Sequence, residues 1–347
     1  MLPSFSLKRL AELTGSVPVG DLSHEITGVD SLESAGTEDL SFLANLSYKH
    51  VLTASRAGIV CVDHSVTPIE GKNFLVSDNP SFTFQRITKI LRSHTDSSTG
   101  FEGIHPTAVI HPTASIEEDV TVGPYTVIDK GATVGRGSVL YAHVTVGTGA
   151  MIGEECTIYP HATIRERCIL RERVTLQPGA VIGACGYGYI TDPKTKVHTK
   201  IEQVGIVVLE AEVEVGANTT IDRARFKHTL VGRGTKIDNL VQIGHNVELG
   251  KNNLIVSQTG IAGSTKLGNN VVLGGQCGIA GHISIADDVV LVARGGVDKS
   301  LTLPGIYKGS PASPRSECNR RQVMLRKIGL YVDKIRKLEE RIERLLS

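Results

Sequence analysis

The chain has no tryptophan, only three methionines, and aromatic residues make up 4% of its 347 positions. So few rings cannot fill an ordinary mixed core. Glycine is abundant, at 37 residues, and the balance points to repetitive β structure. The six cysteines, at 61, 156, 168, 185, 277 and 318, form no CxxC pair. That excludes a zinc ribbon and a thioredoxin motif. They read as small thiols in a reducing compartment. No run approaches the ~20 apolar residues needed to span a bilayer, so no integral membrane segment is expected. The opening MLPSFSLKRL lacks the shape of a signal peptide, and a cytoplasmic location is expected. The formal net charge of +1 argues against general nucleic-acid binding.

What is present is a ruler. Cut into sixes from residue 105, the chain reads HPTAVI, HPTASI, EEDVTV, GPYTVI and onward to QPGAVI, and the sixth residue is Ile, Val or Leu each time. Further landmarks fall at Leu209, Val215 and Ile221, then every sixth residue from Val231 to Leu303. A hexapeptide period is the signature of a parallel β-helix. Three sixes make one triangular coil with the aliphatics inside, and successive coils pair as parallel strands about 4.8 Å apart. Roughly thirty sixes give about ten coils. Two stretches break the ruler: GACGYGYITDPKTKVHTKIEQVG (183–205) and the short RARFKHT. Extra residues on a rigid scaffold often shape a binding site.

The flanks differ in kind. SLKRLAELTG reads as a short helix with Ser6 as N-cap and Gly15 past its end. AGIVCV and NFLVSD read as buried strands, and SFTFQRITKILRS has helical spacing at Phe84, Ile87 and Leu91. Residues 1–100 therefore read as a small α/β domain, 101–313 as the β-helix, and 314–347 as a helical extension. The serine-rich stretch 93–100 reads as the linker. In the tail, Met324, Ile328, Tyr331, Ile335, Leu338, Ile342 and Leu345 alternate steps of four and three, a heptad seam that fits either contact between subunits or a helix laid against its own chain. From 314 onward ten Lys and Arg face five Asp and Glu; a solvated helix face is the plain account of that charge, and an acidic protein partner the sharper one.

His245 stands one place after a glycine in DNLVQIGHNVEL. Steps of eighteen, one full coil, lead from it to Gly263, Gly281 and Lys299. Two glycines above the imidazole, about 5 and 10 Å away, leave bare backbone that a ligand can approach. His282 adjoins Gly281 near the same face, and Asp238 lies close to the corner of the preceding side. A surface histidine, a metal ligand and a general base remain as readings. The first does not need the glycine lane. The second needs ligands from a neighbouring subunit, because His282 is two coils away. The third needs only a cleft and a backbone N–H to hold an oxyanion.

The hexads, DNLVQIGHNVELG, TTIDRA, IAGHISI and the N-terminal FLANLSY together resemble the bacterial UDP-3-O-(3-hydroxyacyl)glucosamine N-acyltransferases of lipid A assembly. These belong to the left-handed β-helix acyltransferases. The resemblance covers nearly the whole chain; the hexads alone carry only the superfamily. It implies His245 as general base, Asp238 orienting it, Gly263 offering its N–H to the oxyanion, and His282 assisting. It implies that Phe42, Asn45 and Tyr48 hold the uracil, although core packing of the two rings is the plain alternative. Gln242, in the His245 segment, joins the substrate-binding set. Lys299 resembles a position where relatives use arginine for acyl carrier protein. Lysine keeps that charge but loses bidentate geometry. The resemblance also places an acyl groove along the later coils, where Gly295 and Gly296 would leave a slot for a long chain; a bend before Pro304 is the alternative. A homotrimer with sites between subunits is implied, with acyl carrier protein and a UDP-sugar as partners. No metal or cofactor is implied, since the phosphopantetheine comes with the carrier. The rivals are a UDP-N-acetylglucosamine O-acyltransferase, which should lack the N-terminal domain, and a γ-type carbonic anhydrase.

Overall fold

The computed structural model describes residues 4–93 and 100–346. The expected linker falls, for residues 94–99, outside the described residues. The chain divides into two compact units, Met1–Ser98 and Thr99–Ser347.

In the first unit, helix α1 spans Leu7–Thr14. The Ser6 hydroxyl accepts from the Arg9 N–H at 3.3 Å, and Gly15 closes the helix with a φ of 70°. These are the two caps the sequence signals. A five-stranded sheet runs in the order Val17–Val19, Asn73–Val76, Ile59–Val62, Asp39–Phe42, Gly28–Val29. Helix α2, Lys49–Ala54, follows the FLANLSY segment. Helix α3, Pro80–Ser93, lays Ile87 and Leu91 on Leu7, Leu10, Leu40 and Ile59 in one apolar core.

The second unit is a left-handed parallel β-helix with faces of 11, 10 and 9 strands. Every landmark aliphatic from Val122 to Val297 is buried, because two-residue strands point one side chain inward and one outward. Corner residues take the left-handed conformation; Asn246, Ser264 and His282 have φ of 59°, 61° and 63°. The register is eighteen residues along most of the length: Gln242 pairs with Gly260, Gly260 with Gly278, and Gly278 with Gly296. It breaks at both interruptions. Val181 pairs with Thr220, and Thr220 with Gln242. These steps of 39 and 22 hold 21 and four residues more than a coil needs. The long excess projects as an antiparallel hairpin, Tyr189–Thr191 with His198–Lys200.

The ruler ends earlier than its sequence suggests. Leu301, not Leu303, bridges Ile285. Leu303 is 68% exposed. The last side is two residues short: Val297 still pairs with Ile279 eighteen back, Leu301 with Ile285 sixteen back, and Lys299 is exposed between them. After it, Gly305–Lys308 adds a strand, and the chain turns into helices α4, Arg315–Arg326, and α5, Ile328–Leu346. The heptad seam is thus carried on two helices. Lys327 leaves helical geometry at the break, two residues before Gly329, a weak helix former. Among the described residues no helix is long and apolar enough to cross a membrane.

Candidate active site

His245 occupies the corner after the Gln242–Ile243 strand. The Gly244 N–H donates to the Ile261 carbonyl at 2.8 Å, and the Ser264 N–H to the His245 carbonyl at 2.9 Å, so the ladder fixes the backbone on both sides of the ring. The imidazole lies against Gly263: a Cβ there would stand 2.7 Å from both Cε1 and Nε2. Only glycine permits that approach. The Gly263 N–H donates to no protein acceptor among the described residues. Its carbonyl accepts from the His282 N–H at 3.1 Å, which carries the column one coil further.

The ring faces a cavity of about 560 Å³. Gly244, Ala262, Gly263, Gln242 and Asp222 line it from the coils, and Cys185, Gly186, Tyr187, Tyr189 and Lys200 from the 183–205 insertion. The insertion is laid directly on the histidine. A Cβ on Gly186 would meet the His245 Cβ at 2.8 Å and the buried Oε1 of Gln203 at 3.1 Å. Arg223, 4% exposed, fastens its root. It ion-pairs with Glu166 and donates from Nε to the Gly183 carbonyl at 3.0 Å.

The carboxylate at this site is Asp222. Burial pushes its carboxyl up to about 6, against the Gln242 side chain and His245, which favour the charged form. Asp238, which the sequence points to, is absent from the cavity lining. Its carboxylate accepts from the Asn239 N–H at 2.7 Å and the Ser257 N–H at 3.1 Å, so within one chain it secures its own corner. His282 is exposed at a corner outside the lining. Lys200 is held above the ordinary lysine range by the Cys185 side chain. Among the described residues, no group of three or more His, Cys, Asp or Glu is arranged to hold a metal ion.

Gly296 does not open a slot. Its N–H donates to the Gly309 carbonyl at 2.9 Å, and an added Cβ would stand 2.7 Å from the Ser310 Oγ. The returning segment fills the space. Gly295 is likewise closed, by the Leu291 side chain at 2.5 Å. The bare positions of that face are Gly260 and Gly278, where a Cβ would meet nothing within 4 Å.

In the first unit, Phe42, Asn45 and Tyr48 line a second cavity of about 340 Å³ with Ser31, Leu32, Glu33 and Ser41. Phe42 packs on Phe84 in a tilted pair with centroids 4.6 Å apart, yet it remains 37% exposed, and Tyr48 52%. Asn45 Oδ1 accepts from the Ser47 N–H and hydroxyl, leaving its Nδ2 without a protein partner among the described residues. The buried Ser41 hydroxyl has no partner either. Neither Ser41 nor Asp222 stands out in the sequence, although Asp222 lies in TTIDRA directly after a landmark isoleucine.

The comparisons with known proteins follow this division. Residues 23–90 match the family model of UDP-3-O-(3-hydroxymyristoyl) glucosamine N-acyltransferase, LpxD, and residues 100–207 that of the GMPPB C-terminal domain. The UDP-3-O-acylglucosamine N-acyltransferase of Protochlamydia amoebophila is 60% identical, over 99% of this chain and 98% of its own. The enzyme of that name from Chlamydia pneumoniae is 52% identical, over 99% and 96%. Among solved structures, an Arabidopsis UDP-N-acetylglucosamine acyltransferase superposes with a TM-score of 0.53 at 24% identity, covering 63% of this chain and 76% of that one; it shares the fold. Kinship at these identities over the full length establishes that the chain belongs to the UDP-3-O-acylglucosamine N-acyltransferase family.

Proposed function

We propose that the protein transfers a 3-hydroxyacyl chain from acyl carrier protein to the 2-amino group of UDP-3-O-(3-hydroxyacyl)glucosamine, in lipid A assembly and in the cytoplasm. The observation that carries the reading is the His245 ring lying on Gly263, beside a free backbone amide, in a cavity roofed by the insertion. The acceptor nitrogen attacks the thioester carbonyl while His245 Nε2 takes its proton. The carbonyl oxygen becomes an oxyanion, and the Gly263 N–H is the donor for it. Asp222, ionised above about 6, stabilises the imidazolium. Collapse of the tetrahedral intermediate expels the carrier thiolate, which regains a proton, and leaves an amide.

Phe42 and Tyr48 stack on the uracil, and Asn45 Nδ2 donates to a base carbonyl. Lys299 and the basic tail attract the acidic carrier. The phosphopantetheine arrives with that carrier, and the protein needs no cofactor of its own. The working form is a homotrimer. The test offers UDP-3-O-acylglucosamine and UDP-N-acetylglucosamine separately, each with 3-hydroxyacyl carrier protein, and reads products by mass. Acylation of the first at nitrogen is expected. Acylation of the second at oxygen would overturn the reading.

A further inference from the structure

We infer that Asn246 sets which nitrogen of His245 carries the proton, and so acts as a positioning residue for the base. The inference rests on the reading of His245 as base. His245 Nδ1 lies 3.2 Å from Asn246 Oδ1. Two backbone groups determine which end of the amide that is. The Arg225 N–H donates to Oδ1 at 2.9 Å, and Nδ2 donates to the Phe226 carbonyl at 3.1 Å. A flipped amide would set NH2 against N–H and oxygen against oxygen, and both bonds would be lost. Oδ1 therefore stays toward the ring, where it can only accept. The Nδ1 that faces it carries the hydrogen, and Nε2 keeps its lone pair. Nε2 is also the nitrogen that lies against Gly263, so the basic atom faces the free backbone amide.

The four-residue excess in this coil now has a use. Arg225 and Phe226 belong to it, and they supply both groups that orient the amide. The Asn246 backbone is fixed as well, with its N–H on Thr229 Oγ1 at 2.9 Å. Its φ of 59° is a conformation asparagine tolerates better than most residues.

The test uses the full-length protein with Asn246→Asp and Asn246→Gly, both compatible with positive φ. It measures kcat/KM against pH and the nitrogen spectrum of 15N-histidine-labelled protein. Aspartate sets a charged acceptor on Nδ1 and favours the imidazolium, so the ring titrates higher. The base works only when neutral, and the acid limb should move up by about one pH unit. The other groups at the ring, namely Asp222, Lys200, Cys185, Tyr187 and Tyr189, are unchanged in both variants. Glycine removes the acceptor. kcat should fall on the order of tenfold, a part of the ~10²–10⁴ a base supplies, with both KM values kept. The spectrum should show hydrogen on Nδ1 in the wild type and a mixture in the glycine variant. An unmoved acid limb, or one tautomer throughout, overturns the role of Asn246 even if His245→Ala is inactive. Turnover retained in His245→Ala would instead remove the base reading, and the spectrum would still decide the Asn246 contact.

Discussion

At the scale of single residues, the site joins a ring, a bare backbone and a carboxyl in a half-closed space. In the proposed mechanism Asp222 acts in opposite directions on function and on stability. Its carboxyl is raised from an unfolded value of 3.8 to about 6. Between those values the folded state holds more protons than the unfolded one, so stability falls as pH rises through the window. Above it the charge costs about 3 kcal/mol. Asp222→Asn should therefore melt higher than wild type at pH 8 and equal to it near pH 4, while turnover falls. Melting scans at the two values check the sign, and an equal gain at both would contradict the raised carboxyl. In the cavity of the first unit the two rings differ. Tyr48→Ala should weaken acceptor binding by roughly 1–3 kcal/mol and leave the melting temperature alone. Phe42→Ala should do both, because that ring also rests on Phe84. Acceptor KM and melting curves together decide between stacking and packing. The sequence hides Asp222 for a geometric reason. An eighteen-residue step back from His245 lands on Lys227, whereas the 22-residue coil brings Asp222 opposite Gly244.

At the scale of elements, the hexads are legible because each two-residue strand must bury its landmark. The caps of α1 are legible because Ser6 and Gly15 each do one local job. Register and closure are not local. Nothing in the ARGGV segment reveals that Ser310 returns to cover Gly296, or that the last side is two residues short and seats Leu301. A helical seam reads in the tail, but the break at Lys327 depends on the weak turn around Gly329. The corrected glycines shift the expectation for chain length. Gly296→Met should destabilise the protein by displacing the Ser310 segment, an overpacking cost of about 1–3 kcal/mol. Gly278→Met should fold normally and shift donor preference toward shorter acyl chains. A series of acyl carrier protein donors read against both variants checks this. Unchanged preference in Gly278→Met would place the acyl groove on another face.

At the scale of the whole molecule, two kinds of surface point to assembly. The seam on α5 leaves Ile328, Ile335, Leu338 and Ile342 each more than half exposed in a single chain, a line of apolar side chains that a soluble protein covers with a partner. The three-sided β-helix supplies flat faces for the rest. Light scattering at micromolar concentration should give three times the 37.1 kDa chain. A dimer mass would mean that the seam, whose Ile and Leu alternate, pairs as a two-stranded coiled coil instead. In the proposed mechanism these parts serve one proton transfer, and it can be tested alone. His245→Ala should keep the wild-type mass and melting temperature while losing ~10²–10⁴-fold in turnover with UDP-3-O-acylglucosamine and 3-hydroxyacyl carrier protein. A folded variant that works within threefold of wild type would show that His245 is not the base.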